Sequence, residues 1–307
     1  MTDRLNVAAI RESDLDSQGM DFGPSARNES YLRMVTRQFL HHRAAVVGMF
    51  VIALFFLTAL LAPYIAPYDP AAIDLANRLQ GPSAAHWLGT DELGRDVFSR
   101  IIIGARITLI ITMGAVGLAL FSGTVLGMLA GFYGGPTDTL ISRFIDVLMA
   151  MPGFLLAIGI IAALGVGTLN VIIAVGIASI PDFARIARSS TLSIRAQDYI
   201  LSARSLGAAN LRIVSRHIGP NIVPPLIVAA TMRLATAILS AASLSFLGLG
   251  PQPPTPEWGA MLSTARDFFT SAPLLIVFPG LAILLVTLSF NLMGDGLRDA
   301  LDPHLRR

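Results

Sequence analysis

Long uncharged runs constrain this chain before anything else does. Ala44 to Tyr68, Ile107 to Thr137, Val147 to Pro181 and Phe268 to Gly294 contain no charged residue, and between Ile218 and Gly250 the only charge is Arg233. A helix needs about 20 apolar residues to cross a hydrocarbon core roughly 30 Å thick, so each run is long enough to span a bilayer. Composition agrees. Of 307 residues, 54% are hydrophobic and 14% charged, against about 25% charged in an ordinary soluble domain. Too few polar side chains exist to cover a globule of this size in water, and an outer surface facing lipid follows.

The number of crossings turns on Val147–Pro181. As one straight helix it would reach about 50 Å at 1.5 Å per residue, well beyond the hydrocarbon core, and Gly165-Val166-Gly167-Thr168 offers a tight turn at its middle. Arginine placement decides. Arg33, Arg37 and Arg43 precede the first run and set the N-terminus in the cytoplasm. Arg185, Arg188, Arg195, Arg204, Arg212 and Arg216 crowd the segment after the disputed run, against Asp182 and Asp198. A hairpin at 165–168 keeps that segment inside; a single helix would put it outside. The reading is therefore an all-α membrane protein with six transmembrane helices, near 44–66, 106–132, 138–164, 168–189, 218–247 and 273–294. Arg298, Arg306 and Arg307 then fall inside, and the 67–105 and 251–267 loops outside.

This divides the chain into a polar tail over 1–30, expected to be disordered and cytoplasmic, and an interfacial helix over 31–43, apolar on one side and arginine-bearing on the other. A first transmembrane helix over 44–66 and an extracytoplasmic loop over 67–105 follow. The core transmembrane domain runs over 106–297 with a cytoplasmic loop at 190–217, and a cytoplasmic tail over 298–307 ends the chain.

Several functions are excluded. All 22 basic residues are arginine, whereas a Walker A loop needs a lysine for the nucleotide phosphates; if ATP drives this protein, another subunit hydrolyses it. With no cysteine and five scattered histidines, at 41, 42, 86, 217 and 304, neither disulfides nor a metal centre are expected. A net charge of +2 gives no argument for nucleic acid. The Gly-x-Ser-x-Gly and His-Glu-x-x-His patterns of membrane-embedded hydrolases are missing, so no catalytic residue is assigned. An ion-driven secondary transporter stays open; it predicts uptake by this chain alone.

The segment Asp198–Pro220 is the most informative. Its periodicity predicts a short helix from Asp198 that stops at Gly207, glycine being the usual residue for a left-handed helix end, and a second helix restarting at Asn210 as N-cap. Ala203 and Gly207, four residues apart, leave one face nearly bare of side chain. Two readings stand: a hairpin lying on the membrane surface, or a face for another protein.

This segment resembles the Glu-Ala-Ala (EAA) loop of ATP-binding-cassette (ABC) importer permeases. Leu201-Ser202-Ala203 occupies the Glu-Ala-Ala place, Gly207 the glycine, and Ile218-Gly219-Pro220 the Ile-x-Leu-Pro ending. Leu201 is not acidic, and Gly219 stands where leucine is usual. The segments 62–70, 86–100, 242–250, 252–259 and 290–303 resemble the dipeptide/oligopeptide/nickel permease family, more narrowly its C-type subunit. The resemblance implies a type I ABC importer fold and a heterodimer with a B-type permease. Two ATPase subunits would carry ATP and Mg, this chain binding no cofactor, and an extracytoplasmic solute-binding protein would complete the assembly in the bacterial cytoplasmic (inner) membrane. It also implies that residues 198–216 form a coupling helix, giving Leu201, Ser202, Ala203, Arg204, Leu206, Gly207 and Ala208 the ATPase-coupling role. Dipeptides or oligopeptides are the implied cargo, with glutathione, nickel complexes or another small solute as the alternative. Thr231-Met232-Arg233 and Ser240–Ser243 look closest to dipeptide- or glutathione-type members.

Other polar residues carry paired readings. Arg233, deep in a crossing, either attracts a peptide carboxylate in the translocation path, or pairs with Asp146 or snorkels toward the cytoplasm. Ser289 and Asn291 either line the path or make interhelical hydrogen bonds. Asp91, Arg95 and Asp96 either face a receptor or lock their loop through ion pairs, with Thr90 or Asp91 capping a helix. Trp258 is expected to anchor at the membrane interface.

Overall fold

A computed structural model describes residues 31–301. The expected tail over 1–30, and residues 302–307 of the C-terminal tail with Arg306 and Arg307, lie outside the described residues. Those described are helix and loop, the one β-type pairing being an isolated bridge between Thr90 and Asp96.

The order is α1 (Tyr31–His41), α2 (Arg43–Ile65), α3 (Val97–Tyr133), α4 (Gly135–Met149), α5 (Gly153–Leu164), α6 (Thr168–Arg195), α7 (Asp198–Ser205), α8 (Asn210–Ile213), α9 (Gly219–Phe246), α10 (Trp258–Ala265) and α11 (Leu274–Leu301). A turn of π-helix over Val214–Ile218 joins α8 to α9. Helices α2, α3, α6, α8–α9 and α11 are long and apolar enough to cross a membrane, and α4 with α5 makes a sixth span only as a broken one, bent by 88°.

That break revises the third expected span, 138–164, which is not one straight helix. Pro152 lacks an N–H and disfavours helical backbone at Met151. Helix α4 therefore ends at Met149, and α5 restarts at Gly153 with Pro152 as its N-cap. The second span also differs. Expected over 106–132, it starts at Val97 and runs 37 residues, about 55 Å long at 1.5 Å per residue. Its cap is Asp96, whose Oδ2 accepts from the Ser99 N–H at 2.7 Å; Thr90 and Asp91 sit in the preceding turn instead.

Helices α3 and α6 form the tightest contact. Along α3, Gly123, Gly127 and Gly131 fall four apart and face α6, where an added Cβ would stand 2.7 Å from the Ile180 oxygen, 2.2 Å from the Ala184 oxygen and 2.8 Å from the Arg188 oxygen respectively. Small residues at that spacing let two backbones approach, the main source of helix association where lipid is as apolar as the side chains. Helix α2 turns Ala45, Gly48, Ile52, Phe55, Ala59 and Ala62 inward, while Val47, Phe50, Leu54, Leu57 and Leu60 stay exposed. An apolar side left bare in this way suits lipid.

Trp258 departs from expectation. It is buried at the start of α10, donates from Nε1 to the Ile101 oxygen at 3.0 Å and packs 5.7 Å from the Phe55 ring. Gly104 makes room, since a Cβ there would stand 2.8 Å from the indole. It is a core residue tying α10 to α2 and α3.

Candidate functional site

Apart from Ser289 and Asn291 on α11, three places hold the candidate site residues: the loop before α3, a cavity beside α4–α5, and the α7–α8 hairpin.

In the loop, Asp91, Arg95 and Asp96 are 5%, 5% and 3% exposed. Asp91 Oδ1 accepts from the Leu93 and Arg95 N–H groups at 2.9 Å each, and Asp91 Oδ2 takes the Arg95 Nε at 2.7 Å and faces the Arg100 Nε at 3.3 Å. Arg95 also reaches Glu92 at 2.8 Å. Asp96, besides capping α3, meets His86 Nδ1 at 2.9 Å. Arg100 donates to the Pro70 oxygen, and the Tyr68 N–H to Ser99 Oγ, which draws the loop down over the start of α3. These side chains are spent on one another. Together these contacts form a lock on the loop.

The loop before α10 hides a third buried acid. Glu257 is 1% exposed and caps α10, accepting from the Ala260 N–H at 2.9 Å. Burial pushes its carboxyl above the ordinary value of 4.5, with the accepted N–H bonds pulling the other way. A glutamate among prolines gives no such signal in sequence.

The cavity measures about 350 Å³ and opens where α4 breaks into α5. Met149, Met151 and Phe154 line its apolar side, Ser179 and Ser240 add hydroxyls, and Asp182 and Arg233 reach it from α6 and α9. Asp182 and Arg233 each stand at the midpoint of a 28-residue helix and form an ion pair with each other. The alternative that paired Arg233 with Asp146 is thus corrected. Asp146 lines a separate cavity with Arg185 and Arg188, and Asp138 of α4 takes Arg188 of α6 in a two-pronged contact at 2.6 Å per arm. Ser289 and Asn291 do not join Arg233. Ser289 is buried where α11 meets Gly48 of α2 and donates to the Leu285 oxygen within its own helix at 2.6 Å, while Asn291 is exposed on another side of α11.

The hairpin is built as its glycine predicts. Gly207 has φ +79°; its N–H donates to the Arg204 oxygen, and the Ala208 N–H to the Ala203 oxygen. This pair of bonds ends a helix in a Schellman turn. Asn210 is not the cap: Ala209 holds that position, without a side-chain bond. Ile200, Ile213 and Ile218 are fully buried and anchor the hairpin to the bundle. Arg204 lies over the Phe132 ring at 5.2 Å. Among the expected coupling residues, Leu201, Ser202, Arg204, Leu206 and Gly207 are exposed, and Ala203 and Ala208 half-buried. Leu206 and the neighbouring Leu211 are bare to 88% and 78%.

Comparison with known proteins adds three findings. Residues 123–307 match the family described as binding-protein-dependent transport system inner membrane component, and residues 30–82 match the N-terminal transmembrane domain of oligopeptide transport permease C. The chain is 49% identical to the dipeptide transport system permease protein DppC of Alkalihalophilus pseudofirmus, over 89% of this chain and 90% of that protein. It is 54% identical to the glutathione transport system permease protein GsiD of Escherichia coli, over 86% and 88%. Among solved structures, an inward-facing form of the MetNI methionine ABC transporter superposes with a TM-score of 0.54 at 20% identity, covering 67% of this chain and 98% of that one. At that identity the likeness speaks for the fold alone.

Proposed function

Since the chain belongs to the family of binding-protein-dependent inner-membrane transport components, we propose that it forms half of a path importing short peptides and docks an ATPase through the α7–α8 hairpin. It is a permease subunit of an ABC importer and a transport subunit rather than an enzyme. Such a permease works with a second permease, ATPases and a solute-binding protein. In the finer reading the second permease is B-type, two ATPases carry ATP and Mg, and both chain ends lie in the cytoplasm of the bacterial cell. Relatives named for dipeptide and glutathione transport support a peptide-sized cargo with free amino and carboxylate groups.

One observation carries the docking role. Leu201, Leu206 and Leu211 point outward from a hairpin whose isoleucines are fully buried. Apolar side chains projecting beside Arg204, Arg212 and Arg216 suit a protein groove better than water. ATP-driven closure of the ATPases would then move a rigid hairpin and, with it, the helices it is packed on.

Affinity purification from the native membrane tests this. The wild-type chain brings ATPase subunits with it, and Leu206→Asp loses them while still inserting. Recovery of a lone homomer that takes up peptide on an ion gradient would sink the reading.

A further inference from the structure

We infer that Asp182 and Arg233 form a two-pole binding site for zwitterionic short peptides, Asp182 taking the ammonium end and Arg233 the carboxylate. This rests on the importer reading and specifies what its path recognises.

Placement comes first. Two opposite charges at the midpoints of two long apolar helices are costly to bury and rarely placed there without a function. This pair is left 33% and 39% exposed in its side chains and faces the cavity. A volume of about 350 Å³ lies at the lower end of the range for small-molecule sites, roughly 300–1,000 Å³.

Chemistry comes second. The lining offers one acid, one guanidinium, the hydroxyls of Ser179 and Ser240, and a soft apolar wall from Met149, Met151 and Phe154. One full charge of each sign suits a molecule that also carries one of each. A guanidinium fork matches a carboxylate, and a carboxylate accepts from an ammonium. The methionines adapt to varied side chains, as a carrier of many peptide sequences requires. When a peptide enters, the two residues exchange their mutual contact for its termini and no unpaired charge is left behind, whereas a ligand lacking either terminus strands one partner. Pro181, next to Asp182, lies inside α6, and the α4–α5 break on the facing wall leaves the cavity open to a ligand.

The test uses the complete transporter with its native partner subunits in proteoliposomes, without the solute-binding protein. It measures retention of labelled Ala-Ala, N-acetyl-Ala-Ala and Ala-Ala amide. The wild type should hold Ala-Ala at least tenfold better than either capped form. Arg233→Gln should reduce Ala-Ala to the level of the amide and leave the amide unchanged; Asp182→Asn should reduce it to the level of the N-acetyl form and leave that form unchanged. Equal retention of all three by the wild type, or none above background, overturns the proposal without any variant having to fold. So does a uniform loss in both variants with recovery of uptake in Asp182→Arg/Arg233→Asp, the result for a merely structural ion pair. ATP-dependent uptake with receptor added, measured on the same wild-type vesicles, separates failure of this site from failure of the importer reading.

Discussion

Gly127 of α3 lies directly against the carbonyl oxygen of Ala184 in α6, so close that a Cβ on Gly127 would stand 2.2 Å from it. Backbone cannot yield as a flexible side chain can. Gly127→Ala should therefore push the helices apart and cost about 1–3 kcal/mol, the usual cost of overpacking. Gly117→Ala, in the same helix with nothing within 4 Å, should be neutral or gain up to about 1 kcal/mol from helix propensity. Unfolding in detergent followed by far-UV circular dichroism checks both, and equal stability of the two variants would contradict the packing described.

At the hairpin turn, Gly207 holds φ +79°, where a β-branched side chain is a genuine outlier. Gly207→Val should insert normally yet lose at least tenfold in peptide uptake, because the turn that aims Leu206 is deformed. Transport assays alongside membrane fractionation read both quantities. Uptake at the wild-type rate would remove the hairpin from the mechanism.

Removing Asp91 should be severe. Its carboxylate is the shared partner of Arg95 and Arg100, all three nearly buried. Asp91→Asn leaves Arg100 without its counter-charge and Arg95 with Glu92 alone, and breaking a buried pair in this way costs about 3–5 kcal/mol. Thermal unfolding should fall accordingly, with new protease cleavage within residues 67–96. An unchanged melting temperature would mean that the loop is held by its backbone bonds alone.

Glu257 predicts a pH effect of defined sign. Because burial raises its carboxyl above 4.5, the folded state holds this proton more tightly than the unfolded one. Its contribution to stability is complete below the unfolded value and declines as pH rises through the raised folded value. Glu257→Gln, which keeps an oxygen for the Ala260 N–H, should abolish that decline. The variant should gain on the wild type in melting temperature at pH 8 relative to pH 5. Parallel curves for the two proteins would contradict the assignment.

The span reading from hydropathy and arginine placement located every long helix, because apolar length is a physical requirement of a bilayer. Helix ends were less legible: α3 starts at Val97 rather than 106, and α6 runs on to Arg195 rather than 189. Asp182 and Arg188, inside α6, are neutralised by residues distant in sequence, Arg233 and Asp138, and Arg100 of α3 by Asp91 in the loop before it. Pairing of that kind is a tertiary fact. So is the burial of Trp258, which needs the gap at Gly104, although the four-residue spacing of Gly123, Gly127 and Gly131 is plain in the sequence once close helix contact is sought. Gly207 was legible because its turn is local. The Asp182–Arg233 pair was half legible: the lone Arg233 in an apolar run announced itself, while nothing in the sequence joined it to Asp182.

Of the five long helices, α2, α6, α9 and α11 all contain proline, and α3 does not. It runs unbroken from the Asp96 cap beneath the locked loop to Phe132, on which Arg204 of the hairpin rests. A strut with no joint shortens and bends little under load. Whatever displaces one end must therefore displace the other, so the locked loop and the hairpin share one mechanical coordinate.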